Sequence, residues 1–251
     1  MQRENPIGEP FIELSEVDSS NNYAMRQVQA RMAGHGTTWF AWHQKEGRGQ
    51  RGKVWNAEPG QNIILTTIAE PVSIVVENQF ILNAIISLAC LDFFEQYTAE
   101  IKIKWPNDIY WRDRKAGGIL IENLLRGAIC KFSVIGIGIN INQTLFPGNL
   151  PNPVSLTQIT GKTYNVIELA KELCTCMEDR WQQSKVKSQE LLKEYSSRLY
   201  KLGEKVAFKK VDTFFDGIVT GVNIRGELLI DTGDGQVVPF KSVEWLTNQR
   251  N

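Results

Sequence analysis

The 251-residue chain is short of several things, and each shortage excludes a class of protein. It has only four cysteines, Cys90, Cys130, Cys174 and Cys176. Only the last two are close, as C-x-C with no histidine nearby, which is not the paired C-x-x-C spacing of a zinc site. Buried thiols in a reducing cytosol are the expectation, with no disulfide framework. There is no excess of either charge: Lys plus Arg is 28 and Asp plus Glu is 28. A global basic footprint for wrapping nucleic acid is therefore missing, and any charge argument must be local. No run of 18 charge-free apolar residues occurs, so no membrane span is expected. The first 14 residues are polar, carry Pro6 and Pro10, and contain no apolar segment of the signal-peptide kind. A soluble, cytoplasmic protein is expected. At 42% hydrophobic, the chain suffices for one large domain or a large and a small one without staples.

Residues 19–33 begin with capping types and carry Met25, Val28 and Met32 at helical spacing, a pattern that predicts an amphipathic helix stopped by Gly34. Residues 37–43 and 62–69 read as strands, and 78–97, apolar nearly all round, as a buried helix starting at Asn78. Strands are predicted at 101–105, 109–111, 117–125 and 129–141. Asn165 and Glu168 read as a capping pair opening a helix with Leu169, Leu173 and Met177 on its face. A separate helix is predicted from about Ser188 to Leu202, with Gly203 past its end. Thereafter short strands at 205–208, 217–222, 228–231 and 236–240 alternate with Gly, Asp and Asn turns, which predicts a small antiparallel barrel. The fold class is α+β: a mixed sheet packed with helices over 1–202, then a small all-β unit over 203–251.

Four segments can carry chemistry. Gly47-Arg48-Gly49-Gln50-Arg51-Gly52, followed by Lys53 and Trp55, offers a pliable backbone whose N–H groups can close around an anion. It fits neither a Walker loop nor a dinucleotide fingerprint. The plainer reading is a Gly-rich surface turn. Lys104-Trp105-Pro106-Asn107-Asp108 ends a strand in a rigid corner, and Lys115 and the pair Gly117-Gly118 follow. For Arg112, Asp113 and Arg114 a solvated hairpin tip is the favoured reading. Gly136-Ile137-Gly138-Ile139-Asn140 closes an apolar strand with glycines that allow a ligand against the backbone. Asp18-Ser19-Ser20-Asn21-Asn22 is either a plain helix cap or a set of polar groups for an amide-like ligand. Residues 45–53 and 101–115 hold nine basic against three acidic side chains. Brought together, the two loops would attract a polyanion of nucleotide size.

In this order, the segments D-S-S-N-N, Q-K-E-G-R-G-Q-R-G-K-V-W, K-W-P-N-D-I-Y-W-R-D-R-K-A-G-G-I-L-I-E and G-I-G-I-N resemble biotin protein ligases over essentially the whole chain. Two departures stand out: Gln50 and Val54 where many members carry Arg or Lys, and no helix-turn-helix pattern before residue 11, so DNA binding is not implied. The resemblance implies an SH3-like character for the C-terminal barrel and a two-step reaction. Biotin is activated by ATP to biotinyl-5′-AMP, then transferred to a lysine of a biotin carboxyl carrier protein domain, with Mg²⁺ carried by the ATP phosphates rather than by protein ligands. It further implies that Ser19, Ser20, Asn21 and Gln44 line the ureido end of the biotin pocket. Gly47 and the Arg48 backbone would close that pocket, and Trp55 and the strands of Gly118 and Gly136 would wall it. Gly49, Gln50, Arg51, Asn107, Asp108 and Asn140 would fall on the nucleotide side. Lys115, with Arg48, would sit between the two reacting anions as the catalytic groups. Asp108 would be either a base or a structural partner. A lipoate–protein ligase or octanoyltransferase of the related fold is the alternative, and a non-catalytic ligand sensor a more distant one. Edge strands and Trp111 could serve a homodimer or the carrier, and the pattern leaves both open.

Overall fold

The computed structural model describes residues 5–71, 79–127, 129–148, 150, 152–233 and 235–246. Strand β3 (Asn62–Ala69) is buried at every one of its eight positions, because helices cover both of its faces. One edge of β3 pairs antiparallel with β2 (Thr38–Ala41) and the other with β7 (Ile129–Asn140). Outward from β7 follow β6 (Arg114–Arg126), β5 (Asp108–Trp111) and β4 (Ile101–Lys104), all antiparallel. Beyond β2 lies β1 (Phe11–Leu14), which is parallel to it, so the seven-stranded sheet is mixed, as expected. The sequence reading missed β1, a four-residue edge strand with no buried residue to betray a period.

Helix α1 (Ser20–Gln29) packs on β2, β3 and β7, with Ser19 as its N-cap. It ends at Gln29, five residues before the expected Gly34 stop, and Arg31 already has φ +58°. Met32, predicted to continue the apolar face, is 75% exposed, so nothing in the core holds a further turn. Helix α2 (Phe80–Glu95) is sandwiched between the sheet and α4 (Val166–Ser197), which explains its apolar character all round. Its predicted start, Asn78, lies outside the described residues. The two helices predicted over 165–202 are a single one of 32 residues. No glycine or proline interrupts it, and Trp181, Leu191 and Tyr195 prolong the buried stripe of Leu169, Leu173 and Met177. Asn165 caps it, accepting from the N–H groups of Ile167 and Glu168. Another short helix, α3 (Leu156–Thr160), carries a full Ser155–Gln158 capping box that the sequence reading passed over. No described helix is long and apolar enough to cross a membrane.

The second sheet holds β8 (Lys205–Lys210), β9 (Thr213–Val222), β10 (Leu228–Asp231), β11 (Val237–Phe240) and β12 (Glu244–Trp245), in the order β11-β10-β9-β8-β12. Among the described residues this unit is a five-stranded antiparallel sheet, with β11 and β12 at the two ends of that order. Its apolar side, including Phe208, Val219, Leu228 and Ile230, joins one continuous core with α2, α4 and the larger sheet.

That docking reaches the corner between β4 and β5. Trp105 Nε1 donates to Gly226 O at 2.9 Å in the β9–β10 turn. Pro106 O accepts from Tyr195 Oη of α4 at 2.7 Å and from Asn83 Nδ2 of α2. Gly226 has φ +77°, and a Cβ there would meet the Phe80 ring at 2.2 Å. Gly226→Ala is therefore expected to destabilise the protein by about 2 kcal/mol or more, measured by urea unfolding. An unchanged midpoint would show that the turn is free to move away from α2.

Candidate active site

The α1-facing side of β6 and β7 is paved with glycine. Gly118 pairs with Gly138, and Gly136 with Leu120 one step along the same face. A Cβ added at Gly138 would lie 2.4 Å from Trp55 Cε2, and one at Gly136 would lie 2.2 Å from Asn21 Oδ1. Both glycines thus let other side chains lie flat on the strands. A Cβ on Gly118 would have Asp108 Oδ1, Lys115 Nζ and Trp55 Cζ3 all at 3.4 Å, which marks the point where these three converge.

Lys115 is held by its backbone before its side chain acts. Its N–H donates to Asn152 O at 2.9 Å, and its carbonyl accepts from Val154 N at 2.9 Å and Asn140 Nδ2 at 3.3 Å. Its Nζ donates to Asp108 Oδ1 at 2.6 Å and stands 5.7 Å from the Trp55 ring centroid. Asp108 itself sits directly after the clamped corner. Asn107 and Asn140, expected on the nucleotide side, are buried with their amides turned to backbone: Asn107 to Ile119 O, and Asn140 to Lys115 O and Val154 O.

At the other end of the floor the predicted polar set forms one network. Ser19 is the α1 N-cap. Gln44 Oε1 accepts from Ser20 N at 2.8 Å and Ser20 Oγ at 3.0 Å. The Thr66 hydroxyl lies 2.8 Å from Ser20 Oγ and 2.9 Å from Asn21 Oδ1. Asn21 Nδ2 donates to Leu120 O and to Glu122 Oε2.

The Gly-rich segment folds back on itself as a small hairpin. Trp55 N donates to Gly47 O at 2.9 Å and Gly49 N to Lys53 O at 2.7 Å, so the Gly49 N–H serves the hairpin itself. The tip, Gln50–Gly52, is one 3₁₀ turn with Arg51 at φ +55°. A Cβ on Gly47 would strike Trp55 O at 2.1 Å, so only glycine fits there. Arg48 reaches back to Glu122 and to Asn22 Oδ1. Arg48 and Lys115 therefore meet one face of β6, with Trp55 between them. Trp55 Nε1 is buried without a hydrogen-bond partner among the described residues.

The local positive excess is smaller than the two loops alone suggest. Lys45 pairs with Glu16, Arg48 with Glu122 and Arg112 with Glu100, all carboxylates from outside the two segments counted. Thr66 was not singled out from sequence, and Asn22, Glu122 and Gly138 lie inside the quoted segments without having been given a role of their own. The period of two on β6 places Glu122 on the face of Gly118 and was the available signal for it.

Lys104 is a further basic residue at this corner. Its Nζ is 4.7 Å from the Tyr110 ring centroid, 5.7 Å from that of Tyr200 and 5.8 Å from that of Trp245. Burial pushes its pKa down to about 8, with the neighbouring Lys115 and Lys53 charges adding to the fall and Asp108 opposing it.

Residues 14–140, half of the chain, match the biotin/lipoate A/B protein ligase family. The chain belongs to that family. A curated relative, the bifunctional ligase/repressor BirA of Bacillus subtilis, is 26% identical over 88% of this chain and 69% of its own length. The biotin–[acetyl-CoA-carboxylase] ligase of Paracoccus denitrificans is 27% identical, over 92% of this chain and 98% of its own. Among solved structures, the biotin protein ligase of Aquifex aeolicus in complex with biotin and ATP superposes with a TM-score of 0.78 at 26% identity, covering 94% of this chain and 97% of that one. The family match spans the α1 cap, the Gly-rich hairpin, the β4–β5 corner and the glycine floor, and ends at Asn140.

Two outcomes follow from the geometry. Gly138→Ala should cost about 1–3 kcal/mol by lifting the Trp55 indole, and the same change in a Trp55→Ala background should cost much less. Additive losses in a urea double-mutant cycle would disconnect the two residues. Second, between about pH 8 and the ordinary lysine value of 10.5 the unfolded chain holds the Lys104 proton that the folded protein has released. Lys104 thus makes stability rise with pH in that window, its burial cost being fully present below pH 8. Lys104→Met should flatten the rise in the urea midpoint between pH 8 and 10, and equal slopes for both proteins would contradict the assignment.

Proposed function

We propose that this chain is a biotin protein ligase that activates biotin with ATP and transfers it to a lysine of a biotin carboxyl carrier domain. One observation carries the reading: Lys115, Asp108 and Trp55 converge on a glycine floor whose other end is a largely buried network of Ser20, Asn21, Gln44 and Thr66. A flat amide-bearing ring with an aliphatic acid tail suits such a slot, polar at one end and cationic at the other. The likeness to the ligase solved with biotin and ATP supports the same choice.

In the first step a biotin carboxylate oxygen attacks the α-phosphorus of ATP, and the bond from that phosphorus to the bridging oxygen of pyrophosphate breaks. Two anions must approach each other. At about 4 Å and an effective dielectric near 20, one positive charge offsets roughly 4 kcal/mol of such repulsion. Lys115 supplies it from a locked backbone, so little reorganisation is required. Asp108 holds that ammonium in place, and its corner and the Asn140 amide fix the strand beneath. The hairpin bearing Arg48, Gly49, Gln50 and Arg51 closes over the nucleotide and keeps water from the mixed anhydride. In the second step the neutral amine of the carrier lysine attacks the acyl carbon, AMP leaves with the electron pair, and the amine proton is lost. Among the described residues no group of three or more His, Cys, Asp or Glu side chains gathers for a metal. Mg²⁺ would be held by phosphate oxygens and water, screening the triphosphate charge. Residues 1–202 form the catalytic unit in this reading, and 203–251 brace the corner that carries Asp108.

Biotin-dependent ATP–pyrophosphate exchange tests the reading, with lipoate as the competing acid. Exchange with biotin and none with lipoate is expected, and the reverse would assign the chain to the lipoate branch of its family. Lys115→Ala should lower the exchange rate on the order of 10²- to 10³-fold with the urea midpoint little changed. A near wild-type rate would remove Lys115 from the mechanism.

A further inference from the structure

Resting on that reading of the site, we infer that Glu122 is a positioning residue. Its carboxylate ties the Arg48 side chain and the first turn of α1 to β6, and so sets the Gly47–Trp55 hairpin over the glycine floor. Glu122 lies four residues past Gly118 on β6 and on the same face. Both carboxylate oxygens are engaged: Oε1 faces Arg48 Nη2 at 3.0 Å, and Oε2 accepts from Arg48 Nη1 at 3.2 Å and Asn21 Nδ2 at 3.0 Å. Arg48 Nη1 also donates to Asn22 Oδ1 at 2.7 Å. One carboxylate therefore joins three separate pieces of chain, two of which border the slot.

A paired surface glutamate usually contributes little. This one differs in what it holds. Asn21 is 4% exposed and lies flat on Gly136, so its amide orientation decides the shape of the polar end of the slot. With its oxygen turned to Thr66, the Asn21 nitrogen is left to donate to Leu120 O and Glu122. The fork-to-fork pairing with Arg48 fixes direction as well as distance. Arg48 precedes the exposed hairpin tip, whose own contacts are the short backbone closures at 47–55. With the guanidinium satisfied by Glu122 and Asn22, Arg48 acts on the ligand through the placement of its hairpin.

The test uses the full chain and biotin-dependent ATP–pyrophosphate exchange. Glu122→Gln keeps the shape and one acceptor but removes the charge. The KM for biotin is expected to rise roughly 10-fold while kcat falls by less than about 3-fold, the split expected when ground-state placement is lost. Asn22→Ala, which removes only the Arg48 side of the tie, should move KM the same way by a smaller factor, and it decides the matter if Glu122→Gln lowers the urea midpoint. The charge swap Arg48→Glu with Glu122→Arg should recover most of what Arg48→Glu alone loses. A swap as inactive as Arg48→Glu would show that the guanidinium itself reads the ligand and would overturn the inference. So would a wild-type biotin KM in both Glu122→Gln and Asn22→Ala, while active wild-type protein would leave the ligase reading standing. Absence of biotin-dependent exchange in the wild type would end both.

Discussion

Everything the site can do depends on backbone being laid bare. Two neighbouring strands, β6 and β7, give up their side chains at Gly118, Gly136 and Gly138, and the groups that matter occupy the vacated layer. The Trp55 indole and the Asn21 amide rest where Cβ atoms would stand, closer than side chains could otherwise approach. A strand glycine ordinarily weakens a sheet. Here the cost is carried by the opposite face, where Ile135, Ile137 and Ile139 of β7 are buried against the helices. The alternation of glycine and isoleucine in Gly136-Ile137-Gly138-Ile139 is thus one strand serving two layers: a packed core below and a contact surface above.

The second constraint is the stiffness of the β4–β5 corner. Asp108 can hold Lys115 only if the turn before it stays put, and three elements grip that turn. α2 and α4 share Pro106 O, and the second sheet takes the Trp105 indole through Gly226. The small C-terminal sheet has little core of its own, yet its docked face bears on the most exacting part of the site. Lys104 belongs to the same joint, since its ammonium sits among Tyr110 of the large sheet, Tyr200 after α4 and Trp245 of the second sheet.

Much of this was legible in the sequence, and what was not has physical reasons. Period and composition gave β3 and the buried α2 within a few residues, because burial on both faces leaves an unmistakable apolar run, and gave β6 and β7 from their apolar stretches. The motif residues Ser20, Asn21, Gln44, Trp55, Asp108, Lys115, Gly118 and Gly136 do come together. Local pattern failed where tertiary contact decides. Helix α1 stops early because Met32 finds no core. α4 runs unbroken because Trp181, Leu191 and Tyr195 find one. The charge count had the same weakness, since the acidic partners Glu16, Glu100 and Glu122 come from elsewhere in the chain.

That pairing changes how a chain of zero net charge can accept a polyanion. Free cations would attract a nucleotide strongly but indiscriminately, and their mutual repulsion would strain the fold without ligand. Here Lys115 and Arg48 each have a carboxylate partner already. In the proposed reaction an arriving phosphate would not meet bare charge: Asp108 already orients the Lys115 ammonium, and Glu122 already fixes the hairpin through Arg48. The electrostatic work of aligning those charges is done during folding, and the proposed binding would have only to shift or share the partner of Lys115. Oriented charge that needs no rearrangement at the reacting centre is the form in which electrostatics accelerates a reaction most. In the proposed reaction the carboxylates would therefore serve the activation as much as the cations do, although their sign alone would set them against an anionic substrate.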